Sequence, residues 1–179
     1  MDKITRNIII GIAILILSFL LDSILLRFNP QVSFLNSFFV FLGGKLGLII
    51  FVVIITLLLA KKKRIFPFWL SVIIGIVVSY GLKILVQRPR PDLFPLIIKT
   101  SASFPSTHAT IAAIGGFFSW KLENQYVRWS GVVLSVLVGI TGFYNSVHYV
   151  SDIITGVLIG LVVSWYVTKK QYLSKLFHF

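Results

Sequence analysis

Residues 83–108 read KILVQRPRPDLFPLIIKTSASFPSTH, and they separate two long apolar parts of the chain. The stretch gathers basic residues, prolines and a Ser-Thr-His triplet, whereas the residues on either side of it are almost entirely hydrophobic. Ionisable groups among membrane segments are costly, and where they occur they usually serve a function. We therefore expect this stretch to carry the chemistry of the protein and the apolar segments to form its scaffold.

The composition places the chain in the membrane. Of its 179 residues, 57% are hydrophobic and only 12% are charged, and the mean hydropathy is +0.96. This excludes an ordinary soluble domain and predicts a multi-pass integral membrane protein of the cell membrane. The net charge of +12 does not indicate nucleic-acid binding, because the basic residues lie in short loops between apolar segments. The length predicts a single domain, residues 1–179.

Six apolar segments are candidates for membrane-spanning helices. They are Ile8–Leu26, Phe38–Ala60, Ile65–Val86, Thr107–Trp120, Tyr126–Tyr144 and Ser151–Thr168. The fourth segment is short: it extends roughly 21 Å as a helix, against a hydrocarbon core about 30 Å thick. Its N-terminal end is therefore expected to lie below the membrane surface. The sequence predicts an all-α protein, a six-span transmembrane helix bundle.

The basic residues divide unevenly between the two sides of such a bundle. One side carries Lys3, Arg6, Lys61, Lys62, Lys63, Arg64, Lys121, Arg128, Lys169, Lys170 and Lys175. The other side carries Arg27, Arg88, Arg90 and Lys99. Because loops rich in Lys and Arg stay in the cytoplasm, both termini are expected to be cytoplasmic. Residues 83–108 would then lie on the exterior or luminal face.

Rows of small residues, spaced by four, indicate which helix faces pack together. The third segment carries Ser71, Gly75 and Ser79, followed at the same spacing by Lys83. In the sixth segment Asp152 precedes Gly156, Gly160 and Ser164, and the fifth has Gly131, Ser135 and Gly139. We therefore expect Lys83 and Asp152 to face the interior of the bundle.

A further polar cluster, residues 145–152, separates the fifth and sixth segments and would surface on the same side as residues 83–108. His148 and Asp152 are four residues apart, so they share a face if this turn is helical. A carboxylate bonded to one imidazole nitrogen fixes the tautomer and leaves the other nitrogen as a nucleophile or base. A second imidazole, His108, comes from a different segment.

The groups around these histidines suit a phosphate. Lys83 and Arg90 supply positive charge, and Ser106 and the backbone amide of Thr107 supply neutral donors at a helix N-terminus. Each feature also has a structural interpretation, which the sequence leaves open. Ser106 or Thr107 would simply cap the fourth helix, Lys83 would extend to the interface, and the Arg-Pro-Arg-Pro run from Arg88 would be a stiff loop.

The three clusters together resemble a known family. The motifs Lys83-x6-Arg90-Pro91, Pro105-Ser106-Thr107-His108 and His148-x3-Asp152 are similar to the signature motifs of the type-2 phosphatidic acid phosphatase superfamily, which includes membrane lipid phosphate phosphatases. The motifs cover residues 83–160, and the six-span plan extends the resemblance to the whole chain.

The resemblance implies roles for the motif residues. His148 would attack phosphorus and form a phosphohistidine, with Asp152 orienting it. His108 would protonate the leaving oxygen and then activate water. The phosphate oxygens would be bound by Lys83, Arg90, Ser106 and Thr107. No carboxylate cluster suited to Mg²⁺ occurs in the sequence, so we expect a reaction without metal or cofactor.

Two positions depart from the family pattern. Thr107 stands where glycine is usual, and Gly142 stands where the third motif usually has an arginine that would bind phosphate. Three residues are candidates to replace that arginine: Arg88, Lys45 and Asn145. Lys45 is also placed to form an ion pair with Asp22 of the first segment, which is the interpretation we favour.

The predicted function is hydrolysis of a lipid phosphate or diphosphate. A polyprenyl pyrophosphate of the undecaprenyl or dolichyl type is the favoured substrate, followed by phosphatidate or phosphatidylglycerophosphate. The expected partners are this substrate and membrane lipids, and the oligomeric state is left open. Two alternatives remain: a catalytically weakened protein that binds lipid phosphates, because Gly142 removes a ligand, and a small transporter.

Overall fold

The computed structural model describes residues 3–29, 31–60 and 64–176, which form seven α-helices and no β-strand. The helices are α1 Lys3–Arg27, α2 Ser33–Gly43, α3 Lys45–Ala60, α4 Ile65–Val86, α5 Thr107–Trp120, α6 Gln125–Tyr144 and α7 Val150–Leu176. Within the hydrocarbon each backbone polar group needs a partner in its own segment, so apolar segments fold as helices. The all-α prediction is confirmed for the described residues.

Among the described residues, four helices are long and apolar enough to cross a membrane, namely α1, α4, α6 and α7. The pair α2 and α3 makes a fifth candidate if the two helices, bent by 66°, count as one span. With 14 residues, α5 is too short to cross by itself. The chain is an integral membrane protein, whereas the six spans and the cytoplasmic termini stay predictions. Lys61, Lys62 and Lys63, which support that orientation, lie outside the described residues.

The predicted second segment, Phe38–Ala60, is not one helix, and this prediction was wrong. The chain breaks at Gly44, which has extended backbone between α2 and α3. A Cβ at Gly47 would collide with the carbonyl oxygen of Phe41, and one at Gly43 would lie 2.5 Å from the Asn145 amide nitrogen. Glycine is therefore required for this close turn.

The short helix α5 lies at the centre of the bundle and contacts α3, α4, α6 and α7. Its apolar side chains join a buried cluster that includes Phe51, Ile55, Leu59, Phe68, Ile114 and Phe118. The predicted small-residue faces are confirmed: a Cβ at Gly156 or Gly160 would strike the backbone of α5. Close backbone approach of this kind is the usual basis of helix packing in membranes.

Backbone hydrogen bonds close the α4–α5 loop and join it to the α6–α7 turn and to the first turn of α7. The N–H of Ser103 donates to the carbonyl of Arg88 (2.8 Å), which closes the loop on itself. The N–H of Ser106 donates to Asp152 (3.0 Å), and that of Leu96 donates to Asn145 (3.1 Å). The three polar clusters of the sequence thus meet at one end of the bundle.

Candidate active site

His148 lies in the turn before α7 and is only 3% exposed. Its Nδ1 is 3.5 Å from Oδ2 of Asp152, so the two side chains meet although His148 precedes the helix. The same carboxylate oxygen accepts hydrogen bonds from the N–H of Tyr149 (3.0 Å) and from the hydroxyl of Ser103. Asp152 is therefore held by Tyr149 of this turn and by Ser103 of the α4–α5 loop.

The neighbours of the imidazole define its tautomer. Nη1 of Arg90 lies 3.2 Å from Nε2 of His148, and a guanidinium can only donate, so Nε2 must accept through its lone pair. The ring proton then resides on Nδ1, which faces Asp152 and, at 3.4 Å, the hydroxyl oxygen of Ser103. The geometry leaves Nε2 as the atom with nucleophilic character.

The protonation state of His148 agrees with this assignment. Burial lowers the pKa of His148 to about 4, the hydrogen bond to Asp152 opposes this shift, and the charges of Arg90 and Lys83 reinforce it. The imidazole is therefore neutral at pH 7, which is the state that a nucleophile requires.

Arg88 bridges two carboxylates. Its Nη1 lies 2.8 Å from Oδ1 of Asp152 and its Nη2 lies 2.8 Å from Oδ2 of Asp22, while Ser151 bonds to both Arg88 and Asp22. The predicted pair between Asp22 and Lys45 is therefore wrong. The network links α1 to α7 through Arg88. Removing one partner of a buried ion pair typically destabilises a protein by about 3–5 kcal/mol, so the network also stabilises the bundle.

Lys83 and Arg90 hold the segment that leads to α5. Nζ of Lys83 donates to the carbonyls of Ala102 (2.8 Å) and Ser103 (3.3 Å), and only 8% of this residue is exposed. Arg90 donates to the carbonyls of Val147 (2.6 Å) and Ser101 (2.7 Å). Lys83 therefore faces the bundle interior as expected and does not extend to the interface.

Lys99 is a cation of this site that the sequence reasoning missed. It is half-buried and lines a cleft of about 510 Å³ together with Lys83 and Arg90, and this cleft adjoins the histidines without being lined by them. Burial, and next the charge of Arg90, lower the pKa of Lys99 to about 8. It is also close enough to His108 for the two charges to interact. Among the described residues no carboxylate pairs with Lys99.

The N-terminus of α5 contributes the second histidine. Ser106 is buried and is the N-cap, because its hydroxyl oxygen accepts the N–H of Ala109 at 3.4 Å. The cap leaves the hydroxyl proton of Ser106 available, and the amides of Thr107 and His108 have no partner within the helix. Nε2 of His108 and Oγ1 of Thr107 are both buried without a hydrogen-bond partner in the described structure. These groups suit an anion.

The three residues considered as substitutes for the family arginine lie in different places. Arg88 reaches the cleft, but its guanidinium is held by Asp22 and Asp152. Asn145 is fully buried and donates to the carbonyl of Phe39 in α2 (2.9 Å). Lys45 is exposed at the first position of α3.

Gly142 packs directly against the nucleophile candidate. A Cβ at this position would lie 2.9 Å from Cδ2 and 3.3 Å from Cβ of His148. A side chain at position 142 would require the imidazole to move, so an arginine there is incompatible with the present position of the ring.

The chain is similar in sequence to two curated phosphatases. Phosphatidylglycerophosphatase B of Bacillus subtilis (strain 168) is 36% identical over 92 residues, which cover 46% of this chain and 45% of that relative. Undecaprenyl-diphosphatase of Sulfolobus acidocaldarius is 29% identical over 150 residues, which cover 79% of this chain and 72% of that relative.

Two solved structures are similar in fold. The crystal structure of Aquifex aeolicus LpxE aligns with a TM-score of 0.72 and 24% identity, covering 83% of this chain and 95% of that chain. The crystal structure of the first transmembrane PAP2 type phosphatidylglycerolphosphate phosphatase from Bacillus subtilis aligns with a TM-score of 0.67 and 25% identity, covering 99% and 90% of the two chains.

One protein family matches most of the helical bundle. The family described as PAP2 superfamily matches residues 64–175, from the start of α4 almost to the end of α7, and this region contains all three motifs. The match spans more than half of the chain and confirms the resemblance stated from the motifs. The chain belongs to the PAP2 superfamily.

Proposed function

We propose that the protein is a membrane phosphatase that hydrolyses a phosphate ester or diphosphate of a lipid through a phosphohistidine. The observation that carries this proposal is the placement of His148: Nδ1 faces the carboxylate of Asp152, and Nε2 keeps its lone pair beside Arg90. A neutral, oriented imidazole next to cations is what nucleophilic attack on a phosphate requires.

In the first step Nε2 of His148 attacks phosphorus in line with the leaving oxygen. An N–P bond forms as the P–O bond to the lipid breaks, and His108, which takes up a proton when the negatively charged substrate binds, gives that proton to the departing oxygen. Asp152 stabilises the charge that develops on His148. With a diphosphate the terminal phosphorus is attacked, and the lipid leaves as a monophosphate.

In the second step neutral His108 takes a proton from water. The hydroxide that this generates attacks phosphorus, the N–P bond breaks, and inorganic phosphate leaves with His148 restored. His108 recovers the proton that it gave away, so the cycle consumes one water and needs no metal ion.

Cations and helix donors stabilise the equatorial phosphate oxygens in both steps. We assign this role to Lys83, Arg90 and Lys99, and to the hydroxyl of Ser106 and the amide of Thr107. Lys99 supplies the positive charge that an arginine at position 142 would supply in other members of the family. When the phosphate binds, it would accept some of the hydrogen bonds that Arg90 otherwise donates to backbone carbonyls.

The substrate is proposed to be a lipid because the cleft has an apolar wall next to its cations. Tyr80 and Ile84, which are 54% and 70% exposed, line it beside Lys83. A polyprenyl diphosphate is favoured, followed by phosphatidylglycerophosphate and phosphatidate, and the names of the two curated relatives support the first two. We also propose a single domain, six spans and a site that faces the exterior or lumen.

Phosphate release by the purified protein in detergent with EDTA tests this proposal. We expect release from at least one of a polyprenyl diphosphate, phosphatidylglycerophosphate and phosphatidate, and much slower release from glycerol 3-phosphate, which has no tail. Release that EDTA abolishes would contradict the metal-independent mechanism. No release from any lipid would contradict the proposed function and favour a protein that only binds lipid phosphates.

The titration of Lys99 predicts the alkaline limb of the activity. Because burial lowers its pKa to about 8, its charge is present below that pH and is lost above it. The charged groups near it are Arg90, Lys83 and His108. We expect kcat/KM of the wild type to fall above about pH 8, and the fall to be less steep in Lys99→Arg, because the guanidinium keeps its charge.

The uncharged variant and a matched control complete this test. Lys99→Met should lower kcat/KM by roughly 10-fold or more near pH 7, the equivalent of one charge-assisted hydrogen bond. Lys121, at the opposite end of α5, gives the control Lys121→Met, which should keep the wild-type profile. A kcat/KM of Lys99→Met that equals the wild-type value near pH 7 would show that Lys99 does not bind the substrate.

A further inference from the structure

Asp22 lies on α1, outside the residues that the family match covers, and yet it enters the network around the nucleophile candidate. Only 2% of Asp22 is exposed. Its Oδ1 accepts the N–H of Ser151 at 3.0 Å, and its Oδ2 accepts Nη2 of Arg88 at 2.8 Å and the hydroxyl of Ser151. All partners of Asp22 therefore belong to the α4–α5 loop and to the first turn of α7.

The two oxygens of Asp152 serve different partners. Oδ1 accepts Nη1 of Arg88, whereas Oδ2 accepts the Ser103 hydroxyl and the N–H of Tyr149 and faces Nδ1 of His148. Only Oδ2 can orient the imidazole. The orientation of His148 therefore requires that the guanidinium of Arg88 does not bind Oδ2.

A guanidinium next to a single carboxylate commonly binds both of its oxygens through two parallel N–H donors. Here Asp22 takes Nη2 of Arg88, so only Nη1 reaches Asp152. The ring of Tyr149, 4.0 Å from the guanidinium carbon, covers one face of Arg88. Arg88 therefore has a defined orientation, and that orientation depends on a carboxylate from α1.

We propose that Asp22 is a positioning residue: by holding Nη2 of Arg88 it reserves Oδ2 of Asp152 for His148. The inference rests on the proposed role of His148 and extends the catalytic network to α1. Without the charge of Asp22, Arg88 turns toward Asp152 and takes both oxygens. The hydrogen bond from Nδ1–H of His148 to Oδ2 of Asp152 then weakens, and Arg90 alone opposes a proton on Nε2.

The test compares Asp22→Asn with the wild type. Asparagine keeps the size of the side chain and an acceptor for Ser151, but it removes the charge that holds Arg88. We expect kcat to fall by roughly 10-fold, the equivalent of one charge-assisted hydrogen bond, with KM changed by less than about 2-fold. The double variant Asp22→Asn/Arg88→Gln should be no slower than Arg88→Gln alone, because both changes remove the same contact between Asp22 and Arg88.

Ser18→Ala is the matched control for the packing of α1. Ser18 lies one turn before Asp22, is buried, and among the described residues its hydroxyl donates to the carbonyl of Leu15 alone, in its own helix. This variant should keep the wild-type kcat. If Asp22→Asn lowers only the melting temperature and keeps the wild-type kcat, Asp22 is a helix anchor and the inference is overturned.

A spectroscopic readout separates this inference from the proposed function. In the resting protein, ¹⁵N NMR of labelled histidine reports the tautomer of His148, with the signal assigned from His148→Gln. We expect the population with the proton on Nδ1 to fall in Asp22→Asn and to stay in Ser18→Ala. Unchanged shifts in Asp22→Asn overturn the inference even if the wild type hydrolyses no lipid that is tested.

Discussion

Replacing His148 with glutamine should abolish phosphate release, whereas replacing His108 should trap a phosphorylated protein. Glutamine at position 148 keeps a polar side chain but has no nucleophilic nitrogen, so we expect a loss of about 10⁴-fold or more in kcat. His108 acts as acid in the first step and as base in the second, and such proton transfers contribute about 10²–10⁴-fold each.

The choice of substrate makes the two roles of His108 separable. An aryl phosphate has a leaving group that departs without protonation, so His108→Gln should still form the N–P bond at His148. Hydrolysis of that bond needs a base, so the phosphorylated protein should accumulate. Labelling with ³²P followed by an alkaline quench, which preserves phosphohistidine, measures this species.

The double variant His108→Gln/His148→Gln is the control, and it should carry no label. Label that persists in His148→Gln would show that another residue is the nucleophile. Equal labelling of wild type and His108→Gln under steady turnover would show that His108 does not activate the water.

Replacing Asp152 with asparagine should cost up to about 10⁴-fold in kcat, the loss seen when the aspartate behind a catalytic histidine is replaced by asparagine. The amide has one oxygen, whereas the site presents donors to both positions: Arg88 on one side, and Ser103 and Tyr149 on the other. In either orientation the amide nitrogen meets a donor. If it faces His148, the imidazole must carry its proton on Nε2, where Arg90 also donates, and the nucleophilic lone pair is lost.

Steady-state kinetics together with thermal melting test this expectation. KM should change little because the cations of the cleft remain in place. Asp92→Asn is the matched control, since Asp92 is an exposed carboxylate in the α4–α5 loop, and it should behave as wild type. A kcat of Asp152→Asn within about 3-fold of the wild type would contradict the role assigned to the carboxylate.

Helix positions were predictable where an apolar segment ends at a polar signal. The predicted bounds Ile65–Val86 and Thr107–Trp120 coincide with α4 and α5, because Gln87 ends one apolar segment and Ser106 caps the next helix. The break at Gly44 was not predictable from hydrophobicity, since the apolar pattern continues through it. The Gly43-Gly44 pair was the only local signal.

The site was predictable in part, for a similar reason. Motif spacing identified the two histidines and Asp152, and their convergence depends only on which helix ends share a face of the membrane. The positions of Lys99, of Ser103 and of Arg88, the partner of Asp22, are set by how the α4–α5 loop folds back. Hydrophobic periodicity in the sequence does not predict that fold. The sequence paired Asp22 with Lys45 because the two charges lie at comparable depth in their segments. In the structure the folded α4–α5 loop places Arg88 beside Asp22.

The contact between Gly142 and His148 has a consequence for how this site can change during evolution. Because a Cβ at position 142 would lie 2.9 Å from the imidazole, a cation from the core of α6 and the present ring position are mutually exclusive. In the proposed mechanism, the loop residues Arg90 and Lys99 therefore add to the positive charge of Lys83 near the phosphate, and insertions and substitutions are tolerated far better in a loop than in a packed helix. Headgroup preference can then drift by mutation of this loop, while the histidines and the helical scaffold stay under separate constraints.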